Sequence, residues 1–142
     1  MDMDVHRSIE SVSVGDKIGP VSIPVTLQRL VMEAGANRDF SLIHHDRDVA
    51  RATGAPDAYM NTFFIAGMFE RLLREWMGPR GRINKIANLR MKVFNCVGDT
   101  AVFRGTVEGL GATNNQVMVS LSSETDNGTT VTADATVTLP NS

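Results

Sequence analysis

The chain has 142 residues, of which 42% are hydrophobic and 21% are charged, and its formal net charge is −2. This length fits one domain over residues 1–142 that folds without disulfides or metals. The net charge argues against nucleic acid as the main partner, because phosphate binding needs a basic surface. The single cysteine, Cys96, excludes an internal disulfide and favours a reducing compartment. The acidic N-terminus lacks the apolar stretch of a signal peptide, so we expect a cytoplasmic protein that does not bind membranes.

The first segments predict an arm followed by an edge strand. Residues 1–10 are acidic and contain no continuous apolar stretch, and we expect them to form a loose N-terminal arm. Apolar side chains then alternate with other residues at Val21, Ile23 and Val25. Because proline removes a backbone donor, Pro24 favours a strand at the edge of a sheet.

Two short helices and a loop are predicted next. Thr26 is a favourable N-cap for a helix from Leu27 to about Gly35. The apolar face of this helix is predicted to comprise Leu30, Val31 and Ala34. Residues 37–46 have no regular pattern and are polar, which favours a loop. Asp46 is the predicted N-cap of a second short helix, over residues 47–53.

The longest apolar run, residues 61–77, predicts the helix around which the domain is organised. Asn61 is a favourable N-cap, and Gly78 followed by Pro79 predicts the end of the helix. The first half of the run, which includes Phe63 and Phe64, is apolar on every side and therefore predicts a fully buried segment. The run is too short and too charged to cross a membrane.

After residue 81 the hydrophobic period changes from that of a helix to that of a strand. Apolar and polar residues alternate in four segments, centred near residues 91, 104, 119 and 135. Turn residues separate these segments: Gly98–Asp99, Asn114–Asn115 and Asp126–Asn127–Gly128. With the early strand, the pattern predicts five or six antiparallel strands curled around the central helix, which is an α+β fold.

Asp39 and His44 are the candidate acid–base residues of the predicted loop. An ionised carboxylate and an imidazole that titrates near neutral pH can together hold and deprotonate a water. The spacing alone favours a simpler interpretation, in which Asp39 is a turn residue and His44 a partly buried structural histidine. We expect His45 to face solvent and Asp46 to act as a helix cap.

A metal or phosphate site is not predicted. His44, His45 and Asp46 are adjacent, and adjacent residues seldom converge on one ion. No glycine-rich phosphate loop follows a predicted strand. Cys96 is interpreted as a buried strand residue or a spectator, so we expect no metal and no redox cofactor.

The stretch from Arg38 to His44 resembles the motif Asp-x-Asn-Pro-(Ile/Leu/Val)-His of MaoC-like (R)-specific enoyl-CoA hydratases. Asp39 falls on the motif aspartate, Ile43 on its aliphatic position and His44 on its histidine. A more specific resemblance is to the small MaoC-like subunits of actinobacterial steroid side-chain enoyl-CoA hydratases. It rests on Arg38–Phe40, His44–Asp48, Asn61, and Trp76 followed by Gly78–Pro79. These resemblances cover roughly residues 14–139 and favour the catalytic interpretation of the pair.

The resemblance implies a hotdog fold, a curved antiparallel sheet around one long helix. It implies reversible hydration of a trans-2-enoyl-CoA to a 3-hydroxyacyl-CoA, with Asp39 and His44 holding the water between them. Ser41 and Leu42 replace the usual Asn-Pro, so the bend of the loop must be set otherwise. Asn61 stands where the family has a glycine whose backbone N–H binds the thioester oxygen, and the same role is expected for the Asn61 N–H.

The resemblance also implies the partners. The substrate is an acyl-CoA, with CoA present only as part of that substrate, and its acyl group is left open apart from a steroid-like or other bulky chain. Assembly as a homodimer, or as a heterotetramer with a second MaoC-like chain, is expected. Two alternatives are a hotdog acyl-CoA thioesterase and a non-catalytic subunit of a heteromeric hydratase; the presence of both Asp39 and His44 argues against them.

Overall fold

The computed structural model describes residues 6–142 and contains one antiparallel sheet with three α-helices. Its elements are β1 (Lys17–Pro24), α1 (Leu27–Ala36), α2 (Arg47–Ala52), α3 (Thr62–Met77), β2 (Arg82–Met91), β3 (Thr100–Leu110), β4 (Gln116–Thr125) and β5 (Gly128–Thr138). The strand order is β1-β3-β4-β5-β2, so the early strand does lie at an edge. The predicted α+β fold is confirmed, with five strands. Among the residues described, no helix is both long enough and apolar enough to span a bilayer.

The meander from β3 to β5 follows from alternation and turn chemistry. In β4 the side chains of Val117, Val119 and Leu121 are buried, while the residues between them are more exposed. Asn114 and Asn115 both adopt the left-handed backbone conformation at the hairpin tip, with φ of 64° and 54°. Asparagine tolerates this conformation better than most residues, so the predicted turn is confirmed.

Helix α3 lies against β1, β2 and β3 and supplies much of the core. Its buried residues are Ile65, Met68, Phe69, Leu72, Leu73, Trp76 and Met77. The Phe69 ring meets the Phe103 ring of β3 edge-on, with centroids 5.3 Å apart. The helix begins after Asn61 and ends at Gly78, as the capping residues predict, and Gly78 has a φ of 78°.

The prediction that the first half of this helix is buried on every side is wrong. Phe63 is 65% exposed and Phe64 is only partly buried, because the helix N-terminus has one side against the sheet and the other towards solvent. Val31 of α1 is likewise exposed, whereas Leu30 and Ala34 are buried. Val31 follows Leu30 by about 100° around the helix, which carries it off the narrow buried stripe.

The predicted loose arm is wrong for its second half, because Arg7 and Ile9 are bonded to the rest of the domain. The first half, residues 1–5, lies outside the described residues. Arg7 N–H donates to the Met77 carbonyl at 3.2 Å, and Arg7 Nε donates to the Trp76 carbonyl at 2.8 Å. The last carbonyls of a helix have no intrahelical donor, which explains why this segment attaches there. Ile9 N–H also donates to the carbonyl of Pro140 at 2.9 Å.

Candidate active site

Asp39 is placed by the way α1 ends. The N–H of Arg38 donates to the Gly35 carbonyl at 3.2 Å, and that of Asp39 donates to the Ala34 carbonyl at 2.8 Å. Together with a φ of 54° at Arg38, these bonds form a Schellman motif that reverses the chain. Asp39 Oδ1 then accepts the Ser41 N–H at 3.2 Å. The bend after Asp39 is therefore held by the Schellman motif and by the backbone N–H of Ser41.

His44 is buried in a single 3₁₀ turn, Leu42–His44, and its ring has a defined hydrogen-bonding partner. Its Nδ1 lies 2.8 Å from the carbonyl oxygen of Tyr59. A carbonyl only accepts, so Nδ1 carries a hydrogen and Nε2 of the neutral ring presents a lone pair. That Nε2 lies 3.3 Å from Asp39 Oδ2.

The pair of acceptor atoms defines what this arrangement can do chemically. With a neutral ring, both Asp39 Oδ2 and His44 Nε2 are acceptors. They can accept the two hydrogens of one water or share a single proton between them. The geometry thus provides two adjacent positions from which a proton can be taken up or returned.

Asn61 joins this pair through its side chain. Its Oδ1 accepts the Phe64 N–H at 2.7 Å, which caps α3, and its Nδ2 donates to Asp39 Oδ2 at 3.2 Å. The backbone N–H of Asn61 lies at the N-terminus of α3, where the helix dipole favours negative charge. Its assignment as the donor to a thioester oxygen stays a prediction.

A cavity of about 320 Å³ is formed around Asp39, His44 and Asn61. Most of its remaining walls are apolar: Ile43, Tyr59, Met60, Phe63, Met91 and Phe94. A groove of about 550 Å³ is lined by residues of β1, β3, β4 and β5, but its charged residues Lys17, Arg104 and Asp134 form no ion pair with one another. Acid–base geometry is therefore found in the smaller cavity.

Tyr59 packs against the His44 imidazole and forms an isolated antiparallel bridge with Cys96. The ring of Tyr59 meets that of His44 edge-on at 5.3 Å and stacks on Phe94 at 4.0 Å. Asp99 Oδ2 accepts the Cys96 N–H at 2.9 Å, so the predicted turn at this aspartate anchors the segment. Burial raises the pKa of both the Tyr59 phenol and the Cys96 thiol. Cys96 is buried as expected, although it lies in an isolated bridge and not in a strand.

An ion pair that was not predicted from the sequence joins α2 to the segment that precedes Tyr59. Arg47 donates from Nε to Asp57 Oδ1 at 2.8 Å and from Nη2 to Asp57 Oδ2 at 2.7 Å, and Arg51 adds a contact at 3.3 Å. Hydrogen bonding by Arg47 lowers the pKa of Asp57 to about 2. The sequence does not predict this pair, because Arg47 and Asp57 are ten residues apart: Arg47 lies in α2 and Asp57 in the loop between α2 and α3.

Two neighbours of His44 occupy other positions. Asp46 caps α2 as predicted, since its Oδ1 accepts the N–H groups of Asp48 and Val49 at 3.0 and 3.1 Å. His45 is half-buried and does not line the cavity. Over residues 6–142, no cluster of three or more His, Cys, Asp or Glu side chains is placed to hold a metal ion.

No protein-family model matches the chain. Over 78 residues, 55% of its length, it is 40% identical to the 3-oxo-4,17-pregnadiene-20-carboxyl-CoA hydratase beta subunit of Mycobacterium tuberculosis. The matched segment spans 60% of that relative. A chain of the ChsH1-ChsH2 complex from Mycobacterium tuberculosis has a TM-score of 0.83 and 30% identity, covering 89% of this chain and 98% of that one. The (R)-hydratase from A. caviae involved in PHA biosynthesis has a TM-score of 0.84 at 24% identity, over 92% and 99% of the two chains.

The curved sheet around α3 and these structural similarities define a hotdog-fold protein. The chain belongs to the MaoC-like hydratase family. Its predicted motif residues, Asp39 and His44, lie together in the cavity of that fold.

Proposed function

We propose that this protein adds water to a trans-2-enoyl-CoA thioester to give a 3-hydroxyacyl-CoA, in a reversible reaction. The observation that carries the proposal is the separation of 3.3 Å between Asp39 Oδ2 and His44 Nε2 in the cavity wall. The hydrogen bond from His44 Nδ1 to the Tyr59 carbonyl supports it, because it leaves Nε2, on the Asp39 side of the ring, available to accept a proton. Membership of the MaoC-like hydratase family supports the same reaction class.

In the proposed reaction, Asp39 and His44 hold one water, and one of them removes its proton as the oxygen bonds to C3. The C2–C3 π electrons move towards the thioester carbonyl, which becomes an enolate. The proton taken from the water passes to the other member of the pair, which delivers it to C2 as the carbonyl re-forms. The hydroxyl of the water is then on C3 and its proton on C2, and the enzyme returns to its starting state, so no metal or redox cofactor is required.

The charge that develops on the thioester oxygen needs a donor. We assign this role to the backbone N–H of Asn61, which makes no hydrogen bond within the described part of the chain. Its position at the start of α3 adds the partial positive charge of the helix terminus. Donors arranged in advance around a developing oxyanion are among the largest contributions to catalysis.

The proposed substrate carries a bulky acyl group such as a degraded steroid side chain. This proposal is supported by the 40% identity over 78 residues to the beta subunit of a 3-oxo-4,17-pregnadiene-20-carboxyl-CoA hydratase. The proposed partner is a second MaoC-like subunit, by analogy with the ChsH1-ChsH2 complex. Exposed apolar side chains close to Asp39 and His44 in the sequence support contact with a second subunit, since Phe40 is 77% exposed and Leu42 is 52% exposed.

An assay with crotonyl-CoA and a steroid-like enoyl-CoA separates the hydratase from its alternatives. The protein is tested alone and with a co-expressed second subunit. Loss of enone absorbance without free thiol is the expected result, and release of free thiol would indicate a thioesterase. Absence of either signal, with and without the second subunit, would favour a non-catalytic chain and contradict the proposal.

A further inference from the structure

We propose that the Asn61 side chain is a positioning residue that holds the Asp39 carboxyl group in place and directs it at His44. This inference rests on the proposed function and is separate from the role of the Asn61 backbone N–H. The amide bridges two structures: its oxygen caps α3 at Phe64, and its nitrogen binds Asp39 Oδ2. One side chain therefore connects the central helix to the acid–base pair.

The orientation of this amide is determined by its surroundings. The Phe64 N–H is a donor, so only Oδ1 of Asn61 can face it, at the observed 2.7 Å. Nδ2 must then face Asp39. Asn61 is only 4% exposed, so solvent competes little for either bond. A rotated amide would bring two donors together at Phe64 and two acceptors together at Asp39, which is unfavourable at both ends.

Each oxygen of the Asp39 carboxylate consequently has a donor. Oδ1 accepts the Ser41 N–H at 3.2 Å, and Oδ2 accepts Asn61 Nδ2 at 3.2 Å. Charge-assisted hydrogen bonds of this kind are stronger than bonds between neutral groups, so they hold the carboxylate in place. Because the two bonds come from different segments, they also define the plane of the group, and Oδ2 is thereby presented to His44 Nε2.

Few other charges act on Asp39. From the 3₁₀ turn, His44 Nε2 lies 3.3 Å from Asp39 Oδ2, and Tyr59 lines the same cavity. Arg38 and Glu33, at the end of α1, form no ion pair with Asp39 in the described residues. The lining residues from α3 and β2, Phe63 and Met91, are uncharged. Within the described cavity, a charge introduced at position 61 therefore acts mainly on the Asp39–His44 pair.

The test uses two substitutions of Asn61 and one control. Asn61→Asp keeps an oxygen to cap α3 but replaces the donor to Asp39 with a like charge, whereas Asn61→Ala loses both functions. Thr26→Ala removes a comparable N-cap at the distant start of α1, where Thr26 Oγ1 accepts the Arg29 N–H. All variants are studied with any required second subunit, by kcat/KM as a function of pH and by thermal unfolding.

For Asn61→Asp, we expect kcat/KM at pH 7 to fall about ten- to hundred-fold, because hydrogen bonds to charged groups are strong. The acid limb of its profile is expected to move to higher pH, because a neighbouring like charge favours protonation. Asn61→Ala is expected to show a smaller displacement and a lower Tm. Thr26→Ala is expected to lower Tm without displacing the pH profile of kcat/KM. This result would show that lower stability alone does not displace the profile in the Asn61 variants.

A carboxyl NMR titration of Asp39 in the same variants needs no activity and separates the two proposals. A raised titration midpoint in Asn61→Asp supports the positioning role even if no enoyl-CoA is hydrated, in which case the proposed function fails alone. An active wild type whose Asn61→Asp variant keeps both its kcat/KM profile and its Asp39 midpoint would overturn the inference. An equal displacement in Thr26→Ala would overturn it as well.

Discussion

The core between the sheet and α3 and the segment of residues 37–61, here called the loop layer, are stabilised in different ways. In the core, Phe69 and its neighbours are buried by many equivalent apolar contacts. In the loop layer, His44 is oriented by one carbonyl, and Asp39 by one backbone N–H and one amide. Loss of a core side chain should therefore cost stability, whereas loss of a loop side chain should mainly cost activity.

The largest expected effect on stability is in the core. Phe69→Ala should lower the free energy of unfolding by about 3–5 kcal/mol, as is typical for a buried phenylalanine. Arg74→Ala is the matched control on the same helix. Arg74 is exposed and pairs with Glu70 at 3.3 Å, so its loss should cost well under about 1 kcal/mol. Urea denaturation giving the reverse order would mean that the faces of α3 are wrongly assigned.

Asp57 is an exception to this comparison. It lies in the loop layer, but we expect its replacement to lower the free energy of unfolding. Asp57→Asn loses the ionic bond with Arg47, and we expect a cost of about 1–3 kcal/mol at pH 7. Solvent around the half-exposed guanidinium should place the value towards the lower end. Urea denaturation measures it, and Asp48→Asn, on the exposed side of α2, is the control.

The same variant has a predicted dependence on pH. The pKa of Asp57 is lowered from 3.8 to about 2 on folding, so its stabilising contribution is present above the unfolded pKa and is lost as pH falls towards 2. Wild-type and Asp57→Asn stabilities should therefore converge between about pH 4 and pH 2. A difference that stays constant over this interval would contradict the assignment of the ion pair.

Features set by local chemistry were predictable from the sequence. The limits of α3 follow from Asn61 and Gly78, whose capping roles depend on their own backbone. The turn at Asn114–Asn115 depends in the same way on residues that tolerate left-handed geometry. The pairing of Asp39 with His44 was favoured by a family motif, and not by spacing alone.

Features set by distant contacts were not predictable. Whether Phe63 is exposed depends on where the sheet ends relative to α3, which periodicity does not encode. The bond from Asn61 to Asp39 joins residues 22 positions apart, and the amide's second role is hidden behind its obvious role as a cap. The Arg47–Asp57 pair is similar, since both residues look like ordinary surface charges in the sequence.

Replacement of Phe63 should have a smaller effect on stability, and it tests whether this residue belongs to the core or to the cavity mouth. Because its side chain is largely exposed in the isolated chain, Phe63→Ala should change stability by less than about 1 kcal/mol. Association with a second subunit should weaken if that subunit covers the cavity mouth. Unfolding of the isolated chain and light scattering of the co-expressed complex measure the two effects separately. A large loss of stability in the isolated chain would place Phe63 in the core.

The smallest expected effect is that of His45→Ala. His45 adjoins the acid–base residue in sequence but does not line the cavity, so kcat/KM should stay near the wild-type value. The assay is hydration of an enoyl-CoA, with circular dichroism to confirm folding. Inactivity of folded His45→Ala beside an active His44→Gln would mean that the catalytic role belongs to the other histidine of the pair.

The most direct test of the central claim is a double-mutant cycle on kcat/KM for enoyl-CoA hydration, with Asp39→Asn, His44→Gln and the double variant. Acid–base groups typically contribute about 10²–10⁴-fold, so each single variant should lose activity on that scale while remaining folded. If Asp39 and His44 hold one water as a unit, the double variant should be little worse than the worse single variant. Near-normal turnover by a folded Asp39→Asn, or fully multiplicative losses, would contradict the account.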